Sequence, residues 1–332
     1  MIAPKIPSIA RKAFCGALEK RLASDLSITR TGKPIARTEG GRSSLGGHTV
    51  AIFGATGQLG RYVVNRLARR GCTVVIPFRE EMAKRHLKVA GDLGKVIFIE
   101  FDLRNTASIE ACVQHADTVY NFIGRNYPTK NFSLEDVHVE GTERITEAVK
   151  NRVIRILRLE GPSRASCAAK LPGDDFTNNM KKLFWPVHSI DVGAALEKML
   201  YDESTAGQTF ELYGPKKYTM AQIKSMVDRE IFKQRRHINV PKALLKPFAG
   251  LLNRVLWWNT LSADEVEREF IDQVIDRKAK TFEDLGMKPG DISNFTYHYL
   301  QGFRSSNFYD LPPATEKERK EEKKFIHVLN EL

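Results

Sequence analysis

Thr49-Val-Ala-Ile-Phe53-Gly54-Ala-Thr-Gly57-Gln-Leu-Gly60-Arg-Tyr-Val-Val-Asn-Arg-Leu67 is the stretch whose reading decides the fold. Thr49–Phe53 is short and apolar, as a buried strand is. From Gln58 to Arg70, Leu59, Val63 and Leu67 recur at helical spacing. Between the two stand three glycines. Gly54 permits the sharp strand-to-helix turn, and Gly57 leaves the backbone bare where a pyrophosphate would approach. Gly60 lets the helix pack against the strand, while the helix N-terminus offers free N–H groups and a positive dipole end to phosphates. The strand before and the helix after supply the context that three glycines alone lack. Gly54, Ala55, Thr56, Gly57, Gln58, Leu59 and Gly60 are therefore candidate cofactor-binding residues. The competing reading is a tight turn with no ligand.

Outward from this turn the pattern repeats. Cys72–Phe78, Val96–Phe101 and Thr118–Ile123 read as further strands, and Glu81–Val89, Thr106–Gln114 and Leu134–Lys150 as helices. Continuous apolar strands alternating with helices imply a parallel sheet covered on both faces, a Rossmann-type doubly wound α/β fold. The second half is less regular and reads as a smaller mixed α/β lobe. Val153–Leu159 can be a fifth strand, Ser189–Tyr201 a helix, Thr209–Tyr213 a short strand, Thr219–Phe232 a helix and His237–Val240 a strand. Ser262-Ala-Asp-Glu265 and Thr315-Glu-Lys-Glu318 are capping boxes, the latter opening a charged tail helix. The expected organisation is a basic arm over 1–47, a dinucleotide-binding domain over 48–200 that is shortened around 151–183, and a C-terminal lobe over 201–332.

Composition narrows the function classes. In 332 residues, Lys and Arg total 52 against 40 acids, a net charge of +12. Half of that excess falls within residues 1–49, so the remainder is too mildly basic for a nucleic-acid groove. Cys15, Cys72, Cys112 and Cys167 are far apart, with no metal spacing and no disulfide framework, which indicates a reducing compartment and no metal. No apolar run approaches the ~20 residues of a membrane-spanning helix. Lys5, Arg11, Lys12, Lys20, Arg21 and Arg30, dispersed among Ile, Ala, Ser and Leu, read as a mitochondrial presequence or else as a basic disordered arm.

The second strand ends in Ile76-Pro-Phe-Arg79. An NAD site places an acid near this point for the ribose 2′-hydroxyl, whereas an arginine can pair with a 2′-phosphate. Arg79 thus argues for NADP(H); Glu80 and Glu81 keep open a salt-bridged turn instead. The G-x-x-G-x-x-G spacing resembles the extended and atypical short-chain dehydrogenase/reductases. That resemblance implies adenine contact from Asp102 and Leu103 after the third strand, and a small-residue turn over the adenosine at Phe122, Ile123 and Gly124. It also implies a Tyr-x-x-x-Lys pair and a Ser, with the Lys lowering the Tyr pKa for proton exchange during hydride transfer. No Tyr occurs from Gly141 to Leu200. Tyr127-Pro-Thr-Lys130 has the wrong spacing, Tyr213-Gly-Pro-Lys-Lys217 follows a late strand, and Ser163 and Ser166 lie in a Gly/Pro/Ala-rich loop.

Longer strings narrow the resemblance. "GRNYPTKNFSLEDVHVEGTERI", "WPVHSIDVGAALEKMLYD" and "SADEVEREFIDQVID", together with the glycine region, resemble the NADPH-binding accessory subunits of mitochondrial respiratory complex I in their fungal form. The resemblance covers about 27–150 and 184–332. It lapses over 151–183, where it implies that the fifth strand and the following helix are deleted. It further implies a non-catalytic subunit with NADPH as a structural, non-exchanging ligand, on the matrix side of the inner membrane near the quinone module. The alternative is an independent NADP-dependent reductase or epimerase. In Lys242–Trp258 the many leucines, Phe248, Trp257 and Trp258 are flanked by Lys242, Lys246 and Arg254. This suits a phospholipid or subunit contact, or else a core helix of the lobe. His188 reads as a hydrogen-bonded structural residue.

Overall fold

The computed structural model describes residues 26–29, 32–36, 42, 44–125, 129, 131–150, 155–158, 175–177, 180–233, 237–239, 241–255, 266–267, 270–276 and 278–315. Internal contacts divide the chain into two units, one formed by residues 1–124 and 132–160 and the other by 125–131 and 161–332.

The first unit begins with a hairpin, β1 (Leu26–Ile28) and β2 (Pro34–Ala36), paired antiparallel. Lys33 Nζ fixes it to the sheet by bonding Asp117 Oδ2 and Thr49 Oγ1, both at 2.8 Å. The sheet follows with β3 (Thr49–Phe53), α1 (Gln58–Arg69), β4 (Thr73–Phe78), α2 (Glu81–Lys84), β5 (Val96–Glu100), α3 (Thr106–Val113), β6 (Thr118–Asn121), α4 (Gly141–Lys150) and β7 (Arg155–Arg158). Its order is β5-β4-β3-β6-β7, parallel throughout. Val50 to Phe53 are fully buried because both faces of β3 are covered. Ala51, Phe53, Val75 and Val119 pack on one face against Ile109 and Val113 of α3 and Ile145 and Val149 of α4. On α1, Val63, Val64 and Leu67 form the buried face of a helix that packs on β3 and β4. The expected doubly wound fold is therefore present.

Several expected elements differ in detail. The helix expected over Glu81–Val89 is one turn, α2, followed by a 3-10 turn at Arg85–Leu87. Tightening there keeps Leu87 in the core, while Lys84 lies over the Phe78 ring, 3.6 Å from its centroid. The long helix expected over Leu134–Lys150 contains a π turn at Asp136–Glu140 before α4. The fifth strand is not deleted. β7 pairs with β6 from Thr118↔Arg155 to Asn121↔Arg158. Residues 159–174, where the following helix was expected to be missing, lie outside the described residues, as do 1–25 of the presequence-like arm.

The second unit contains β8 (Asp175–Thr177), β9 (Leu183–Phe184), α5 (Ser189–Tyr201), β10 (Tyr218–Thr219), α6 (Met220–Ile231), β11 (His237–Asn239), α7 (Lys242–Val255) and α8 (Thr296–Leu300). The strand expected over Thr209–Tyr213 is only a single bridge, Phe210↔Lys280, with Glu211 N donating to Lys280 O at 2.8 Å; no ladder extends it. Thr219 caps α6 through a reciprocal box with Gln222. Glu230 and Arg304 form a fully buried ion pair, and Arg304 Nε also donates to Glu230 O at 2.8 Å. The capping boxes at Ser262–Glu265 and Thr315–Glu318 and the charged tail fall wholly or mostly outside the described residues.

Candidate nucleotide-binding site

The glycine turn has the geometry that its residues dictate. Gly54 sits at φ +80°, and a Cβ there would lie 2.9 Å from the Phe122 backbone carbon and oxygen. A Cβ on Gly60 would come 2.5 Å from Gly54 O and 2.6 Å from Ala55 Cα. Both positions are closed to any larger residue by backbone atoms. Gly57 differs: it is exposed, has φ −70°, and a Cβ would meet only Gly54 O, at 3.1 Å. Packing constrains it far less than it does Gly54 and Gly60, through one tight contact with a backbone oxygen. Gly57 is the N-cap of α1, which has no side-chain cap and no acid in its first turn. The first N–H groups of α1 thus face outward without a competing carboxylate, as an anion site at a helix start requires. Ala55 is buried, Thr56 and Leu59 are half-buried, and Gln58 is exposed.

Arg79 and Asp102, 23 positions apart in sequence, line one open cleft of about 440 Å³ beyond the ends of β4 and β5. Glu100, Phe101, Asn105 and Ser108 complete it. Arg79 is exposed, and among the described residues it has no ion pair. Glu81 is held by Lys84 at 2.5 Å, and that bond lowers the Glu81 carboxyl below its usual range. The salt-bridged-turn reading of Arg79 is therefore not what forms. Asp102 is fixed locally: its Oδ1 accepts from Arg104 N at 2.9 Å, and its backbone N–H donates to Ser108 Oγ at 3.2 Å. Leu103 is buried beneath it, in contact distance of Gly141 on α4. Asn105 caps α3, its side chain accepting from Ser108 N, a role and a place in the cleft that the sequence reading did not assign.

The third wall is the turn after β6. Phe122 N donates to Phe53 O at 3.0 Å, which holds the turn beside Gly54. Asn121, 5% exposed, accepts from Ile123 N at 3.1 Å and donates to Thr142 Oγ1 at 3.4 Å. Gly124 is exposed, and a Cβ there would come 3.1 Å from His138 Cε1. Asn121 and His138, the latter within the π turn, are neighbours of the site that sequence patterning missed. Gly54, Gly57, Gly60, Arg79, Asp102 and Gly124 thus ring the carboxyl ends of β3, β4, β5 and β6, where open α/β sheets bind ligands.

The other candidates stay apart from this ring or fall outside the description. The Tyr213 ring packs edge-on against Trp185 with centroids 5.6 Å apart. Lys216 and Tyr218 both bond Asp291, at 2.6 Å each, so this region forms a buried-carboxylate network. His188 caps α5, its Nδ1 accepting from Ile190 N at 3.1 Å, and its Nε2 meets Tyr299 Oη at 2.5 Å. On α7, Leu245 and Ala249 are buried with Val266, while Leu244, Phe248 and Leu251 are 66%, 57% and 61% exposed. Lys246 pairs with Glu267 at 2.5 Å, and Lys242 Nζ lies 5.7 Å from the Phe270 ring centroid. The backbone of Arg254 belongs to α7; Trp257, Trp258, Tyr127, Lys130, Ser163 and Ser166 lie outside the described residues. Among the described residues no cluster could hold a metal, and no helix is long and apolar enough to cross a membrane.

Comparison with known proteins agrees with this geometry. Residues 50–170 match the NAD dependent epimerase/dehydratase family. The chain is 58% identical to the mitochondrial NADH-ubiquinone oxidoreductase 40 kDa subunit of Neurospora crassa, over 97% of this chain and 96% of that one. That alignment spans 363 positions, more than 332 residues can fill, so the relative carries residues that this chain lacks. It is 30% identical to the mitochondrial NADH dehydrogenase [ubiquinone] 1 alpha subcomplex subunit 9 of Rattus norvegicus, over 95% of each chain. Among solved structures, the Citrobacter triphenylmethane reductase complexed with NADP(H) superposes with a TM-score of 0.51 at 15% identity, covering 76% of this chain and 99% of that one. At that identity the likeness is one of fold.

Proposed function

The chain belongs to the family of mitochondrial complex I subunits that includes the 40 kDa subunit and 1 alpha subcomplex subunit 9, and from that premise we propose that it is a non-catalytic accessory subunit of complex I. In this reading it sits peripherally on the matrix side of the inner membrane, near the quinone module, and stabilises the junction of the peripheral and membrane arms. The observation that carries the proposal is kinship along nearly the whole of both chains, including regions beyond the nucleotide fold.

The ligand of this subunit is NADPH, with its pyrophosphate over the Gly57 backbone and the uncapped start of α1, its 2′-phosphate at Arg79 and its adenine beside Asp102. Phe122, Ile123 and Gly124 close the adenosine side. Arg79, exposed and free of any carboxylate partner among the described residues, favours the 2′-phosphate over a bare ribose hydroxyl. A bound nicotinamide would supply hydride chemistry, but the sequence has no Tyr from Gly141 to Leu200 to serve as the proton donor that a carbonyl reduction of this family needs. The nucleotide therefore serves as an internal strut that stabilises the folded state in proportion to its occupancy. The exposed stripe of Leu244, Phe248 and Leu251 supports a contact between α7 and another subunit or the lipid surface.

Native electrophoresis of detergent-solubilised mitochondrial membranes tests the proposal. The chain is expected to migrate with complex I. Migration alone, together with NADPH oxidation by any of a broad panel of aldehydes, ketones and sugar nucleotides, would replace it with the independent-reductase reading.

A further inference from the structure

Away from the nucleotide cleft, the first unit carries a second hollow, of about 320 Å³, between α1 and the turn that follows α2. Arg61, Tyr62 and Asn65 line it from α1, His86 and Val89 from the turn, and Arg42 from the segment before β3. No carboxylate lines it. Arg42, Arg61 and His86 are all exposed, and among the described residues none of their side chains has a carboxylate partner. Burial, and after it the Arg61 guanidinium, pushes the His86 imidazole below its ordinary pKa. Arg42, Arg61 and His86 thus converge on one hollow with no carboxylate in its lining, an arrangement whose charge an anion can match.

We propose that this hollow is a phosphate-binding site, taking a phosphomonoester or phosphodiester group between Arg42, Arg61 and His86, separate from the cleft at Arg79. Guanidinium groups match phosphate oxygens in pairs, and protonated imidazole adds a further donor. Tyr62 and Asn65 provide uncharged donors on the α1 side. The apolar body of Val89 suits the carbon part of an esterified phosphate. The group can come from a soluble phosphate or from a phospholipid headgroup.

The His86 ring midpoint, followed by NMR in the full-length chain and assigned by its loss in His86→Gln, tests this. The probes are inorganic phosphate and water-soluble dihexanoyl phosphatidylglycerol, each against chloride at equal ionic strength. A bound phosphate should raise the midpoint by about one unit, equivalent to about tenfold tighter binding to the protonated ring. Arg61→Gln should remove the response. Arg79→Asp should retain it, so that failure of the nucleotide reading would leave this one standing. A response to phosphatidylglycerol at lower concentration than to phosphate assigns the headgroup; the reverse assigns soluble phosphate. A midpoint unmoved by both probes, or moved equally in Arg61→Gln, overturns the proposal.

Discussion

Two glycines three positions apart should fail in opposite ways. In Gly60→Ala the new methyl meets backbone at 2.5 Å and 2.6 Å, and neither Gly54 O nor Ala55 Cα can withdraw without moving the turn. Overpacking of this kind costs about 1–3 kcal/mol. At about 2–4 °C per kcal/mol for a domain of this size, melting should fall by several degrees. In Gly57→Val the backbone dihedral is ordinary and the nearest atom is 3.1 Å away on an exposed turn, so the apo protein should lose about 1 kcal/mol or less. In the proposed binding mode the same side chain occupies the space over which the pyrophosphate would lie. For the unmutated chain, NADPH at about 100 times its Kd adds about 2.7 kcal/mol; Gly57→Val should abolish that gain. The assay is thermal unfolding of each variant with and without NADPH. An NADPH shift that survives in Gly57→Val, or a Gly60→Ala melt equal to the parent, would refute this account of the turn.

Other consequences are independent of the turn. Arg79→Asp should erase a preference for NADP(H) over NAD(H), a loss of about ten- to a hundredfold for charge-assisted bonds of about 1.5–3 kcal/mol, read by titration with both nucleotides. Arg304→Ala removes the guanidinium that pairs with the buried Glu230 carboxylate, which Ala314 N also contacts, and should cost about 3–5 kcal/mol in denaturant unfolding, with Glu230→Gln milder. Burial lowers the His188 pKa, partly opposed by Asp191. The unfolded state therefore takes up the proton first, and the stability from neutral His188 is present above pH 6.5 and lost as pH falls below it. Protonation also removes the Nδ1 acceptor that caps α5, so His188→Asn, which keeps a cap, should flatten that acid loss of stability. Burial pushes the Cys112 thiol up to about 11, and peptide mapping after alkylation at pH ~8 should find it unmodified until the chain is unfolded.

The fold was legible where burial is two-sided. Val50–Phe53 and Val74–Ile76 read as parallel strands because covering both faces leaves no polar alternation, and the helix expected over Ser189–Tyr201 forms with His188 as its cap. The hairpin at Leu26–Ala36 was hidden inside a basic leader-like composition. What stabilises it is the long-range pairing of Lys33 with Asp117, which no local pattern carries. Thr209–Tyr213 failed as a strand for the converse reason: its residues suit a ladder, but among the described residues only Lys280 pairs there. In the site, the glycines and Arg79 were readable because backbone space and charge are properties of single residues. Glu100 and Ser108 in the cleft, and Asn121 and His138 at the turn after β6, were not, since tertiary packing brings them there.

The nucleotide content of complex I isolated from mitochondria tests the central claim most directly. Extracted and quantified enzymatically, about one NADP(H) per copy of this chain should be recovered from the parent complex, in excess over NAD(H) at this site. Complex carrying Gly57→Val should contain none and assemble less well. Parent complex that contains this chain but no NADP(H), or that lacks this chain altogether, would contradict the account.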